Sequence, residues 1–309
     1  MSGIDVQDPR LSTGFDDCAM RCIAMKHYTP LSDQLCKNPD SIKSMTRQII
    51  QCIHDLRYLA NVIHCDISDK NIMYELRDGE DWFVLIDFDL AVRVDEEGKP
   101  MGPTPRHRTG TLPFMAVDVI KDMHLVETDA DYKPIVHCVR HDFESLFWVC
   151  LWFGIKTSDP NIPNSKKEEE ARRKYLAKWE IEDHDIIHAT KLKVFTQVNS
   201  LDYVPLSDYF EHLRPWFGAF LSCFESGYNA VRNHNKPATR RKFGRSESRF
   251  PFKSTETWFE CVTRKKMLEA FDNLKLQEVA SSSESESSPE SSPESESSLS
   301  DVSSITSDE

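Results

Sequence analysis

The segment from Val62 to Ala91 constrains the fold most, because two apolar runs of β-type residues in it flank a tight turn. The turn is Asp78-Gly79, a dipeptide that favours the two-residue connection of a β-hairpin. Such a hairpin would bring Asp87, at its far end, back beside Asn71, which precedes its first strand. The segment reads VIHCDISDKNIMYELRDGEDWFVLIDFDLA.

Three polar side chains in this segment have the chemistry of a phosphoryl-transfer site. Asn71 follows Asp66 by five residues, and Asp87 ends the second apolar run. A carboxylate and an amide oxygen together can hold Mg²⁺, which prefers oxygen ligands, while a separate carboxylate accepts the proton of an attacking hydroxyl. Asn71 and Asp87 would then be the metal ligands and Asp66 the base. The simpler alternative is that these Asp and Asn residues only form turns.

The order of these residues resembles the catalytic loop of protein kinases. In that family His-x-Asp-x-x-x-x-Asn precedes an Asp-Phe-Gly element, and here His64, Asp66 and Asn71 precede Asp87-Phe88-Asp89. Further along, residues 108–118 read RTGTLPFMAVD. They are similar to the end of a kinase activation segment, in the form of the motif that fungal-type kinases have. The chain therefore resembles a fungal-type protein kinase, a branch of the eukaryotic protein-kinase superfamily, over the large lobe.

The resemblance implies an α+β, protein-kinase-like fold, mainly the helical C-terminal lobe with a truncated N-terminal lobe. Residues 1–40 would be a remnant of the small lobe and the inter-lobe linker. Residues 41–275 would form the large lobe, with the catalytic loop at 62–71, the activation segment at 87–118 and a basic loop at 234–253. Residues 276–309 would be a disordered acidic tail, because a Ser/Glu-rich sequence cannot bury enough apolar surface to fold.

Two helices of this lobe are predicted directly from residue patterns. Apolar residues recur at three- and four-residue spacing from Ile42 to Leu59, with Ser41 as a candidate N-cap. Residues 141–154 form a second, strongly apolar run with Asp142 near its start. A buried acid is costly unless it is hydrogen-bonded. The resemblance implies that Asp142 accepts backbone N–H groups of the catalytic loop, with His64 as a second structural support; a helix cap or surface acid is the alternative.

The resemblance also assigns roles to Lys70 and Thr111. Lys70 would bring a cation to the transferred phosphate and help to hold the nucleotide, although a plain surface lysine is the alternative. Thr111 would face Asp66 and form part of the shelf that accepts the substrate residue, which favours Ser/Thr substrates; Lys70 leans slightly toward Tyr. Cys65 stands where many kinases have Arg, so pairing of that Arg with an activation-loop phosphate is not expected.

The small lobe leaves two main functional hypotheses open, an active and an impaired kinase, because the first twenty residues contain two isolated glycines and no lysine. A kinase needs a glycine-rich loop and a strand lysine to hold ATP. The main hypothesis is an ATP- and Mg²⁺-dependent protein kinase with a protein substrate. The alternative is an impaired pseudokinase or scaffold, with a protein partner covering the small-lobe face. A small-molecule kinase of the aminoglycoside phosphotransferase type shares the catalytic loop, but residues 108–118 count against it.

Charge and composition narrow the location and the partners. The net charge is −13, but residues 279–309 hold eight acidic residues and no Lys or Arg, so the first 278 residues carry only −5. A mildly acidic domain is not expected to bind nucleic acid. With no membrane-length apolar run, no signal peptide and no Cys-x-x-Cys pair, the sequence predicts an intracellular protein, cytoplasmic or nuclear, without membrane contact.

Overall fold

The chain folds into two small antiparallel sheets packed on a larger set of helices, which confirms the predicted α+β class. A computed structural model describes residues 26–102, 110–129, 132, 134–163, 165–234 and 256–285. Residues 1–25 of the predicted small-lobe remnant, residues 235–253 of the basic loop and residues 286–309 of the tail lie outside this description.

Among the described residues, strands occur only in the first third of the chain, and helices follow them. In chain order they are β1 (Thr29–Pro30), α1 (Leu31–Lys37), α2 (Ser41–Tyr58), β2 (Val62–Ile63), β3 (Ile72–Arg77), β4 (Glu80–Leu85), β5 (Val92–Arg93), a 3₁₀ turn (Leu112–Phe114), α3 (Val117–Thr128), α4 (Val139–Lys156), α5 (Lys166–Ala177), α6 (His184–Thr196), a second 3₁₀ turn (Ser200–Tyr203), α7 (Asp208–Glu211), α8 (Arg214–His234) and α9 (Arg264–Ser285).

The predicted hairpin is present as β3 and β4. The two strands pair in antiparallel register from Ile72 opposite Leu85 to Arg77 opposite Glu80. The turn residues Asp78 and Gly79 have φ angles of 54° and 83°. Two consecutive positive φ angles define the type of turn that Asp-Gly favours. Strand β1 pairs with the other edge of β3, and β2 pairs with β5 in a separate two-stranded sheet.

Helix α2 confirms the predicted helix except at Leu59, which follows its last residue and is 77% exposed. The helix covers the outer edge of the hairpin. The Gln48 side-chain amide donates to the carbonyl oxygen of Asp81 at 2.8 Å, and its oxygen accepts the N–H of Phe83 at 3.0 Å. Gln48 thereby occupies polar groups that an edge strand leaves unpaired. Ser41 is not the cap that we predicted. It is the first helical residue, and its hydroxyl bonds to the Asp81 carboxylate at 3.3 Å.

Helix α4 forms the centre of the molecule and confirms the predicted apolar helix. Every residue from Val139 to Ile155 is buried. Phe147 contacts the rings of three aromatic residues on α6 and α8, and Trp148 contacts Trp179 after α5. A helix that is apolar on all sides must be covered on all sides. The helices that follow residue 156 provide much of that cover.

Helix α9 continues beyond the boundary predicted for the large lobe. It ends at Ser285, so residues 276–285 are helical although they were assigned to the disordered tail. Its first half is anchored on α8, where the Phe271 ring stacks on Trp216 with centroids 5.2 Å apart. A helix that is already nucleated adds residues at little cost, which explains its extension into a polar sequence.

In the part of the chain that the structure describes, no helix is both long enough and apolar enough to cross a bilayer.

Candidate active site

The hairpin brings the two proposed metal ligands together. The backbone N–H of Ile86, at the end of β4, donates to the carbonyl oxygen of Asn71 at 2.9 Å. Asp87 therefore follows directly beside Asn71, as the hairpin predicted. Asp87 has a positive φ angle of 63°, which is uncommon for a residue other than glycine.

The carboxylate of Asp66 is held by residues on both sides. Its Oδ1 accepts the backbone N–H of Thr111 at 2.9 Å and the Thr111 hydroxyl at 3.0 Å. Its Oδ2 accepts from the side-chain amide of Asn71 at 3.0 Å. The structure thus places Thr111 against Asp66, as the resemblance implied, and fixes the orientation of the carboxylate with three hydrogen bonds.

The donor chemistry of Asn71 and Asp87 fits a magnesium ion. The Asn71 amide nitrogen donates both to the carbonyl oxygen and to the carboxylate of Asp66, which leaves its Oδ1 as an acceptor for another group. Asp87 is exposed, and its Oδ1 accepts the N–H of Asp89 at 3.3 Å. Among the described residues no group of three or more His, Cys, Asp or Glu side chains could hold a metal. Magnesium commonly uses only one or two protein ligands together with substrate phosphates.

His64 and Asp142 support the catalytic loop from below. The carboxylate of Asp142 accepts the backbone N–H of His64 at 2.8 Å and that of Cys65 at 3.1 Å. The buried His64 ring accepts the N–H of Asp66 at Nδ1, so Nε2 carries the proton and donates to the carbonyl oxygen of Ile86 at 3.1 Å. The loop that carries Asp66 is therefore tied both to α4 and to the end of the hairpin.

Lys70 lies at the surface beside Asp69. Its side chain is exposed, and the described residues give it no hydrogen bond or ion pair to Asp66 or Asn71. Burial raises the pKa of Asp69, while the charges of Lys156 and Lys70 act in the opposite direction. The side chains of Lys70 and Asp87 thus make no described hydrogen bond to the cluster that Asp66, Asn71 and Thr111 form.

Sequence reasoning missed three residues that hold the end of the activation segment, namely Arg140, Glu144 and Lys191. Asp118 stands where the kinase pattern has Glu, and Arg140 donates to its carboxylate at 2.7 Å. The guanidinium of Arg140 also lies 4.5 Å from the centre of the Trp258 ring. The acid at position 118 signalled that a cation should face it, but nothing in the sequence indicated which one.

Comparison with models of protein families gives one match. The model described as fungal protein kinase matches residues 5–154. Residues 5–154 of the chain are therefore similar to fungal protein kinases. The match covers just under half of the chain and includes the catalytic loop, the hairpin and the activation segment. It confirms the resemblance drawn from the motifs and, with the observed elements, the kinase-like α+β fold. A search among curated proteins found no match to the chain.

Proposed function

We propose that the chain is a protein kinase that transfers the γ-phosphate of ATP to the hydroxyl of a Ser or Thr residue in a protein substrate. The similarity of residues 5–154 to fungal protein kinases supports phosphotransfer in general. The proposal of transfer to a protein hydroxyl is supported mainly by the carboxylate of Asp66, which Thr111 and Asn71 hold in one orientation. Positioning of this kind supplies most of the catalysis in phosphoryl transfer.

Asp66 is the proposed base. A carboxylate has about four acceptor positions, and the three hydrogen bonds to Asp66 leave room for a further donor. The hydroxyl of the substrate would occupy that position and give up its proton to Asp66. Thr111 contributes by holding Oδ1, so that the carboxylate cannot rotate away from the incoming hydroxyl.

Asn71 and Asp87 would hold Mg²⁺, and Lys70 would contact the nucleotide phosphates. When bound, Mg²⁺ neutralises charge on the phosphates during transfer. The Asn71 amide is already oriented by its two bonds to Asp66, so its oxygen needs little rearrangement to serve as a ligand. Lys70 is exposed and long enough to swing, which suits a residue that engages only when nucleotide is present.

A second candidate is a kinase-like binding protein with impaired catalysis. Between residues 1 and 40 glycine occurs only at positions 3 and 14, and Lys26 is the first lysine. The Lys26 ammonium forms an ion pair with Glu75 rather than facing the site. With Lys26 held in this ion pair, it would not bind nucleotide, and a protein partner on the small-lobe face would be the functional contact.

Nucleotide binding and transfer can be tested separately on the whole chain. The melting temperature is measured with Mg²⁺-ATP, with ATP and EDTA, and without ligand, for wild type, Asp87→Asn and the surface control Glu180→Gln. Ligand that binds only the folded state raises the melting temperature. Transfer of labelled phosphate to a generic protein substrate, followed by identification of the modified amino acid, is then compared for wild type and Asp66→Asn.

For an active kinase we expect a Mg²⁺-dependent shift that Asp87→Asn removes and Glu180→Gln keeps. Asp66→Asn should keep the shift and lose at least about a hundredfold in transfer rate, since that is the usual contribution of a general base. Binding without transfer in wild type would support the second candidate. The absence of any shift at millimolar ATP would contradict the kinase proposal for this chain.

A further inference from the structure

A lysine is completely buried beneath the activation segment. Lys191, on α6, has no exposed surface, and its ammonium donates to the carbonyl oxygen of Met115 at 2.7 Å. The same ammonium lies 4.8 Å from the ring centre of Trp148 and 5.6 Å from that of Trp179. Indole faces attract cations, so the two rings partly replace the water that the charge has lost.

A buried glutamate holds the neighbouring part of the same segment. Glu144, on α4, is 1% exposed. One of its carboxylate oxygens accepts the backbone N–H of Val117 at 2.6 Å and the indole N–H of Trp148 at 3.0 Å. Burial lowers the pKa of Lys191, and the charge of Glu144 counters this shift. Burial raises the pKa of Glu144, while the hydrogen bonds from Val117 and Trp148 and the charge of Arg140 act in the opposite direction.

This arrangement is costly for a purely structural role. Burying an ammonium and a carboxylate is unfavourable, and well-packed apolar side chains of similar size often serve stability equally well. Lys191 and Glu144 direct their polar atoms to backbone groups two residues apart in one segment. Those contacts fix the position of a loop, which an apolar pair could not do.

The backbone that Lys191 and Glu144 hold is connected through packing contacts and hydrogen bonds to the carboxylate of Asp66. A Cβ atom on Gly110 would lie 2.8 Å from the terminal methyl of Met115, so the Met115 side chain packs closely on Gly110. Gly110 adjoins Thr111, which donates two hydrogen bonds to Asp66. A shift of the Met115 backbone would therefore be transmitted to the residue that orients Asp66.

We propose that Lys191 and Glu144 are positioning residues that hold residues 110–117 in the conformation that presents a peptide substrate to Asp66. The inference rests on the proposed kinase function for its substrate, because a peptide whose hydroxyl reaches Asp66 must lie along these residues. It assigns a role to two buried charged groups on α4 and α6 that the reaction itself does not use.

The test replaces Lys191 with methionine, which has a similar length and no charge. Lys193→Met is the matched control, since Lys193 is exposed two residues further along the same helix. For folded protein we measure KM for a peptide substrate, KM for ATP, and hydrogen exchange of the backbone amides of residues 110–118. Lys191→Met should raise the peptide KM about tenfold, since hydrogen bonds to charged groups carry that much free energy. The KM for ATP should not change.

Hydrogen exchange at residues 110–118 should be faster in Lys191→Met and unchanged in Lys193→Met. A merely structural role would instead lower the melting temperature and the fraction of active protein without separating the two KM values. If Lys191→Met does not fold, Glu144→Gln takes its place, because glutamine keeps the size and an acceptor oxygen. Its neutral oxygen is the weaker acceptor, so a rise of about threefold in the peptide KM is expected.

The outcomes distinguish this inference from the proposed function. If wild type transfers no phosphate, the proposed function fails, and hydrogen exchange alone decides whether the two residues hold the segment. Exchange in Lys191→Met equal to that of wild type would overturn the inference. In an active protein, a wild-type peptide KM in Lys191→Met would overturn it as well, while the kinase function would stand.

Discussion

Asp142 holds the catalytic loop at its most strained point. Cys65 has a φ angle of 69°, a left-handed conformation that costs a side-chain-bearing residue about 1–2 kcal/mol. The Asp142 carboxylate accepts the N–H of Cys65 and that of His64 before it, and His137 lies 3.1 Å from the same carboxylate. The loop keeps this conformation because one buried acid satisfies two consecutive amides.

We expect Asp142→Asn to destabilise the protein by about 1–3 kcal/mol, because an amide group would turn a donor toward a backbone N–H and leave it unsatisfied. Asp66 follows the affected amides directly, so phosphate transfer should fall as well. Urea denaturation of wild type, Asp142→Asn and the exposed control Glu180→Gln measures the first effect. A denaturation midpoint equal to that of the control would show that the carboxylate does not hold the loop.

At the scale of elements, the β3–β4 hairpin sets the distance between Asn71 and Asp87. Its turn requires positive φ angles at Asp78 and Gly79, and its outer edge is bonded to Gln48 of α2. The hairpin is thus fixed at both the turn and the edge. Loosening either one would move Asp87 relative to Asn71 without touching either side chain.

Gly79→Ala should cost about 1 kcal/mol of stability, because alanine is strained at the φ angle of 83° even though no atom lies within 4 Å of the added methyl. Gly102→Ala is the control, since Gly102 also has open space and lacks a positive φ. The free energy of unfolding of both variants is measured in urea. Equal stability of the two would mean that the turn is not under the conformational constraint described here.

At the scale of the whole molecule, a structural feature could be predicted from the sequence when the residues that form it are neighbours in the chain. The Asp78-Gly79 turn and the periodicity after Ser41 involve neighbouring residues, so the hairpin and α2 followed from the sequence. The contact of Thr111 with Asp66 spans 45 residues and was available only through the family resemblance. Lys191 gave no signal at all, because a buried lysine on a helix has the same sequence pattern as an exposed one.

The contacts that join the two halves of the chain could not be predicted from the sequence either, because their partners are far apart in it. Arg57, at the end of α2, bonds through Nε to Glu256 at 2.5 Å, and their side chains are 2% and 4% exposed. The guanidinium also donates to the carbonyl oxygen of Glu96, in the predicted activation segment, at 3.2 Å. One buried ion pair thus ties the family-matched half to a residue 199 positions further along.

Replacing one partner of this pair should lower the free energy of unfolding far more than replacing both. Arg57→Met leaves the Glu256 carboxylate buried without its cation, which costs about 3–5 kcal/mol, whereas apolar replacement of both partners is often nearly neutral. The carbonyl contact of Arg57 is lost in either case, so the double variant Arg57→Met/Glu256→Met should recover most, but not all, of the loss. Urea denaturation of the two single variants and the double variant gives the coupling free energy.

The ion pair between Arg173 and Glu170 is the matched comparison, because its partners are 2.8 Å apart and 74% and 42% exposed. Exposed pairs are screened by water, so the same cycle on this pair should show no measurable coupling. Additive effects of Arg57→Met and Glu256→Met would show that the buried pair does not join the halves. Strong coupling at the buried pair alone would mean that a residue beyond the family match stabilises the matched part of the chain.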